Sequence, residues 1–124
     1  IEALTLAAMV KRNIMHASCL YEKELCDIVV AKKSASMDAT AEKELLDRAS
    51  SLVAALNTKL KALESDIGAE GSMSEDVYEL ALYHRNTIAP AMHDLREVVD
   101  ALEVIVPSSI WPYPTYGDML YSVR

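Results

Sequence analysis

At 124 residues the chain has the length of one domain with room for a modest core; 52% of it is apolar, with no Phe, three Gly and four Pro. A formal charge of −7 repels phosphate backbones and anionic bilayers, so nucleic acid and membrane partners are not expected. No apolar run reaches the roughly 20 residues that span a bilayer, no signal-peptide pattern opens the chain, and a first residue other than Met points to a fragment of a longer protein.

The composition, rich in Ala, Leu, Val and Met, favours helix. A first helix is predicted over about 2–33, with Ala3, Leu6, Val10, Ile14, Ala17, Tyr21, Leu25 and Ile28 on one stripe. It ends in Lys32 and Lys33, cations that suit a helix C-terminus. Cys19 and Cys26 lie seven apart on this helix, about 10.5 Å of axial rise, too far for a disulfide. They read as buried free thiols in a reducing cytoplasm.

Asp38 is the expected N-cap of a second helix over about 38–67, striped by Leu45, Ala49, Leu52, Leu56, Leu60, Leu63 and Ile67. Gly68 and Gly71 break it. Ser72 with Glu75 forms a capping box that opens a third helix over about 73–106. Here Val77, Ala81, His84, Ile88, Ala91, Leu95, Val98, Leu102 and Ile105 make a continuous heptad-like seam. Pro90 should kink it around Asn86 to Pro90, and Pro107 should stop it. Short connections make neighbouring helices antiparallel. The expected fold is therefore all-α, an up-down-up antiparallel three-helix bundle of long helices over 1–106.

The remaining segment, 107–124, belongs to the same domain. It holds four of the seven aromatics and three of the four prolines. Pro112 and Pro114 lock φ around Trp111 and Tyr113, giving a stiff extended strap. Thr115 and Asp118 can then cap a short terminal helix. Trp111, Tyr113, Tyr116, Met119 and Leu120 form an apolar clamp suited to docking, on this domain or on a neighbour.

These residues also carry a resemblance. Leu95, Arg96, Glu97, Asp100, Leu102 and Glu103, followed by the run from Trp111 to Leu120, resemble the extreme C-terminus of type III glutamine synthetases, the large bacterial branch of the glutamate–ammonia ligases. The opening residues Ile1 to Thr5, then Met9 to Lys11 and Ile14 to Ala17, are similar to the start of that family's C-terminal helical region. Where the family has proline this chain has His16, which implies a straighter first helix. The resemblance implies a non-catalytic structural and assembly domain of a bacterial, cytoplasmic enzyme of nitrogen metabolism. The parent would join ammonia to glutamate with ATP and Mg or Mn bound in its catalytic region. The partners would be the rest of that enzyme and neighbouring subunits of a ring-shaped homo-oligomer. A free-standing acidic helical protein–protein interaction module is the alternative reading.

No catalytic, cofactor or metal residue is assigned to this chain. The sequence has no Gly-rich phosphate loop and no Gly-Lys-Ser/Thr run. His84, on the seam, is expected to be a core or half-buried histidine bonded to a neighbouring carbonyl. His93 and Glu97 form a solvated i,i+4 pair, and His16 serves packing or the surface. Lys23 sits between the cysteines with a Glu on each side, so neither thiol has the electropositive setting of a nucleophile.

Overall fold

The structure, a computed structural model, describes residues 2–73 and 75–114. Among these residues it is all helical, with no strand. Three helical stretches lie in sequence. The first is α1 (Glu2–Met9), a π-helical segment (Val10–Ile14) and α2 (Met15–Ser34); the second is α3 (Thr40–Glu70). The third is α4 (Val77–Tyr83), a second π-helical segment (His84–Ile88) and α5 (Ala89–Ile105).

Both π segments widen one turn, with the Met15 amide donating to the Val10 carbonyl and the Ala89 amide to that of His84. The second ends two residues before Pro90. A widened turn moves aside the carbonyl that a proline ring would strike and absorbs the donor it lacks. The first ends two residues before His16. There the turn is widened without a proline to demand it.

Ala3, Ala7, Val10, Ile14, Tyr21 and Leu25 from the first stretch meet Ala49, Leu56, Leu60 and Leu63 from the second and Ile88, Met92, Leu95 and Leu102 from the third. These form one continuous core, joined by Val106 and Trp111. Between the first two stretches, polar pairs link Lys32 to Glu42, Glu22 to Ser50 and Lys11 to Glu64. One partner number falls as the other rises, as it must when two helices run in opposite directions.

The seam of the third stretch is not continuous. Extra width at His84–Ile88 rotates everything before it by about one residue, near 100°. The inward positions become Leu80 and Tyr83, both half-buried, while Val77, Ala81 and His84 are exposed, Val77 at 80%. The expected inward residues Ile28 and Leu45 are likewise 42% and 44% exposed. Val29 and Ala39 beside them are buried but stand outside the continuous core. The core ends before the α2–α3 turn, leaving the outer end of both stripes uncovered.

The turn itself is a Schellman closure. The Met37 amide donates to the Lys32 carbonyl (2.8 Å) and the Ser36 amide to that of Lys33 (3.1 Å), with Ser36 at φ 58°. Asp38 then accepts from the Thr40 amide (3.3 Å) and from the Thr40 hydroxyl (2.5 Å), starting α3 two residues later than its expected first residue. The helix also runs through Gly68 to Glu70. A Cβ at Gly68 would meet nothing within 4 Å, so this glycine weakens the helix without ending it. The capping box at Ser72 does not form as expected: the Ser72 hydroxyl donates to the Ala69 carbonyl (3.0 Å), and Asp76 caps α4 by accepting from the Tyr78 amide (2.9 Å). Asp76 is one residue from the first helical amides, whereas Ser72 is still satisfying the preceding helix's last carbonyls.

The pre-widened turn gives a direct test. A proline inside an ordinary helix costs about 3 kcal/mol or more. His16→Pro should cost well under half of that in urea unfolding, while Ala54→Pro in α3 should cost the full amount. Equal losses would show that the first π segment gives no accommodation.

Candidate docking site

Residues 106–113 follow the end of α5. Val106 is extended (φ −77°, ψ 129°), yet its amide still donates to the Leu102 carbonyl at 2.8 Å. Pro107 cannot continue the helix, and its carbonyl accepts from the Ile110 amide (2.9 Å) and the Trp111 amide (3.0 Å). That tight turn swings Trp111 back into the core, where it is 7% exposed. Ile110 and Tyr113 pack half-buried against the same cluster. The Asn13 side-chain amide donates to the Tyr113 hydroxyl at 2.7 Å, across a sequence separation of 100. Tyr113 therefore ties the segment after α5 to the first π segment.

Of the five clamp residues, the structure places Trp111 in the core and Tyr113 on Asn13. Tyr116, Met119 and Leu120, with the expected cap at Thr115 and Asp118, lie outside the described residues. Asn13 was not singled out from the sequence. A lone Asn on a helix carries no local signal for a partner a hundred positions away.

The histidines stand apart from one another. His84 is exposed, not the seam residue that continuous periodicity implied, because the π turn rotates it outward. His93 pairs with Glu97 (Nε2–Oε1 2.9 Å) on the solvent face, and His16 is exposed. Both cysteines are free, but exposed and not buried as expected. Each lies one position, about 100°, beyond a buried residue, Ser18 or Leu25, and so turns off the core stripe. Partial desolvation, with Glu22 adding to it, still holds the Cys19 thiol above its ordinary value, which disfavours the thiolate.

Among the described residues no three His, Cys, Asp or Glu side chains come together as a metal site, and no helix is long and apolar enough to cross a membrane. Two of the open grooves among the described residues lie beside the core. One, about 400 Å³, is lined by Glu2, Thr5, Leu6, Met9 and Arg96. The other, about 330 Å³, lies beside α4 and the second π segment, next to Tyr83, whose hydroxyl donates to the Asp66 carbonyl (2.7 Å). Neither gathers the convergent titratable groups of a catalytic cleft.

The chain is 35% identical to a glutamine synthetase of Butyrivibrio fibrisolvens over an alignment of 129 positions covering all of it. It is similar from end to end to a stretch of glutamine synthetase. A second glutamine synthetase, from Bacteroides fragilis (strain YCH46), is 23% identical over 98% of the chain. The chain spans only 18% and 17% of these two glutamine synthetases. No protein-family model and no solved structure matches it.

Two side chains around the core make measurable predictions. Ser18 is fully buried, and its hydroxyl has no hydrogen-bond partner among the described residues. Ser18→Ala removes an unpaired polar group and should raise stability by about 1 kcal/mol in chemical denaturation. A clear loss instead would mean that the hydroxyl is satisfied by an ordered water.

Lys32 and Glu42 clamp the α2–α3 turn, and the Lys32 hydrogen bond is the main reason the Glu42 carboxyl lies below its ordinary value. A depressed carboxyl stabilises the fold above its unfolded pKa, about 4.3, and the gain is lost as pH falls through the folded value. Glu42→Gln should therefore lower the melting temperature at neutral pH, and the gap should close on acidification below about pH 4. A gap independent of pH would remove the ion pair from the explanation.

Proposed function

We propose that this chain is the non-catalytic C-terminal structural and assembly domain of a type III glutamine synthetase. In this reading residues 1–106 form an up-down-up antiparallel bundle of three long helices, and 107–124 close it as a Pro/aromatic strap. The parent is a bacterial cytoplasmic enzyme that joins ammonia to glutamate using ATP. Its ATP and Mg or Mn sit in a catalytic region elsewhere in the polypeptide. The partners of this domain are that region and the neighbouring subunits of a ring-shaped homo-oligomer.

The observation that carries the reading is the end-to-end 35% match to a glutamine synthetase of which the chain spans only 18%. Side-chain placement supports a structural role. The three histidines are exposed and scattered, and the carboxylates of Asp27, Asp47 and Glu97 are engaged in i,i+4 pairs on helix surfaces. A surface with a net charge of −7 is suited to matching charged neighbours in an assembly and poorly suited to holding a nucleotide triphosphate.

The test has two arms. The isolated chain, given ATP, glutamate, ammonia and Mn, should form no glutamine; turnover proportional to added chain would overturn the non-catalytic assignment. The polypeptide encoded upstream of Ile1, expressed without residues 1–124, should bind nucleotide and metal per subunit yet elute as a smaller species than the intact enzyme. An unchanged oligomer would overturn the assembly role, and an unrelated upstream domain would favour a free-standing interaction module.

A further inference from the structure

The α2–α3 hairpin carries an exposed apolar pair framed by charges in a symmetric order. Lys32 pairs with Glu42, and the Ser50 hydroxyl donates to Glu22 at 2.8 Å. Counting along the two antiparallel helices from either contact brings Ile28 opposite Leu45. Ile28 precedes the buried Val29 by one position, and Leu45 precedes the half-buried Leu46 by one. Glu22 and Ser50 instead each follow a buried residue, Tyr21 and Ala49, and they meet on one flank of the hairpin. One step back where those two take one step forward puts Ile28 and Leu45 together on the opposite flank, both exposed. Charged side chains share that flank. On α2, Glu24 and Lys32 stand four positions to either side of Ile28; on α3, Glu42 and Arg48 stand three to either side of Leu45. Those spacings put residues on one helix face. Each helix therefore presents the order acid, apolar, base. Glu24 and Arg48 are exposed and make no ion pair among the described residues. The Lys32 ammonium, with three donors, and the Glu42 carboxylate, with two oxygens, can each take a further partner.

We propose that this flank is a two-fold contact between the hairpins of two copies of this chain. A two-fold axis crossing the hairpin at Ile28 and Leu45 lays α2 antiparallel on α2 of the second copy, and α3 on α3. Ile28 and Leu45 then each meet their own counterpart. Because each stripe reads acid, apolar, base, Glu24 falls on the partner's Lys32 and Glu42 on the partner's Arg48, and the symmetry doubles both pairs. A closed two-fold contact requires a self-matching patch of this kind. The four charges cancel, so the patch escapes the repulsion expected between chains that each carry −7. Other occupants fit less well. An uncharged apolar partner would leave four charged groups without counterparts, and a basic helix would match two of them and repel two. Two apolar side chains per copy make a small contact, in the weak class below about 1,200 Å². It involves only residues of this hairpin and stands whatever the parent polypeptide proves to be.

The test uses the intact chain with Cys19→Ser and Cys26→Ser, so that added thiols are the only ones. Ile28→Cys places a thiol on the proposed axis and should give a disulfide-linked dimer under mild oxidation, since a bridge needs Cα atoms within about 7 Å. Val77→Cys, at the exposed start of α4, is the control and should link at least about tenfold more slowly. Equal rates would overturn the proposal, whether the flank is unused or covered by another part of this chain. Charge reversal gives a second readout. Adding Glu24→Lys to the Ile28→Cys chain sets a cation against the partner's Lys32. It should slow linking about fivefold at low ionic strength, and about 1 M salt should remove the difference. A rate unmoved by Glu24→Lys at low salt would show that the flanks do not meet in this register and would overturn the two-fold arrangement.

Discussion

Everything in this chain depends on keeping a narrow apolar stripe aimed at its neighbours along helices of about thirty residues. An ideal α-helix drifts by about 20° per heptad against a 3.5-residue pattern, so over four heptads a straight helix would carry its stripe away from the core. Coiled coils answer this by supercoiling. Here the first and third stretches each contain a π turn, which adds about 100° of rotation at a single point. In the third stretch the result is visible in the burial pattern: Ile88, Met92, Leu95 and Leu102 follow one phase, and Leu80 and Tyr83 follow another. Pro90 fixes the position of that turn. The first turn, next to His16, has no such cause in its own sequence; its Val10 and Ile14 are buried in the core and its Lys11 pairs with Glu64 of α3.

The second demand is that the α2–α3 hairpin hold its register where the core has run out. Ile28 and Leu45 continue the inward stripes but stand more than 40% exposed. Local devices take over at this end: the Schellman bonds around Ser36, the Asp38 contacts with Thr40, and the Lys32–Glu42 clamp. Ser36 occupies a left-handed position that glycine normally fills, so the turn is held at some conformational cost. Polar clamps at the tip and apolar packing in the middle thus divide the work by solvent access.

How much of this was legible in the sequence follows the same division. Val10, Ile14, Tyr21, Leu25, Leu56, Leu60, Leu63, Ile88, Leu95 and Leu102 were readable as core because several turns of consistent spacing agreed on them. The ends were not readable. Periodicity reports which way a residue faces and not whether a partner reaches that far, so Ile28, Leu45 and Val77 were assigned inward. His84 failed for a different reason: a π turn leaves no mark in the spacing of apolar residues. The cysteines were misplaced by composition, since Cys is commonly buried, while their angular position one step off the stripe already pointed outward. Of the docking residues, Trp111 was recognisable as the only Trp in a proline-stiffened segment; Asn13 was not, because its role exists only once the fold brings position 113 to it.

The Asn13–Tyr113 bond gives the strap its structural meaning. Closing a loop of about a hundred residues costs little more entropy than closing one of fifty, because the cost grows only with the logarithm of length. What such a closure gains depends on rigidity at both anchors. Tyr113 is held two residues from the buried Trp111, and Asn13 sits within a widened turn flanked by the buried Val10 and Ile14. The bond therefore joins two points set beside buried residues and links the first stretch to the segment after α5 directly, without passing through α3.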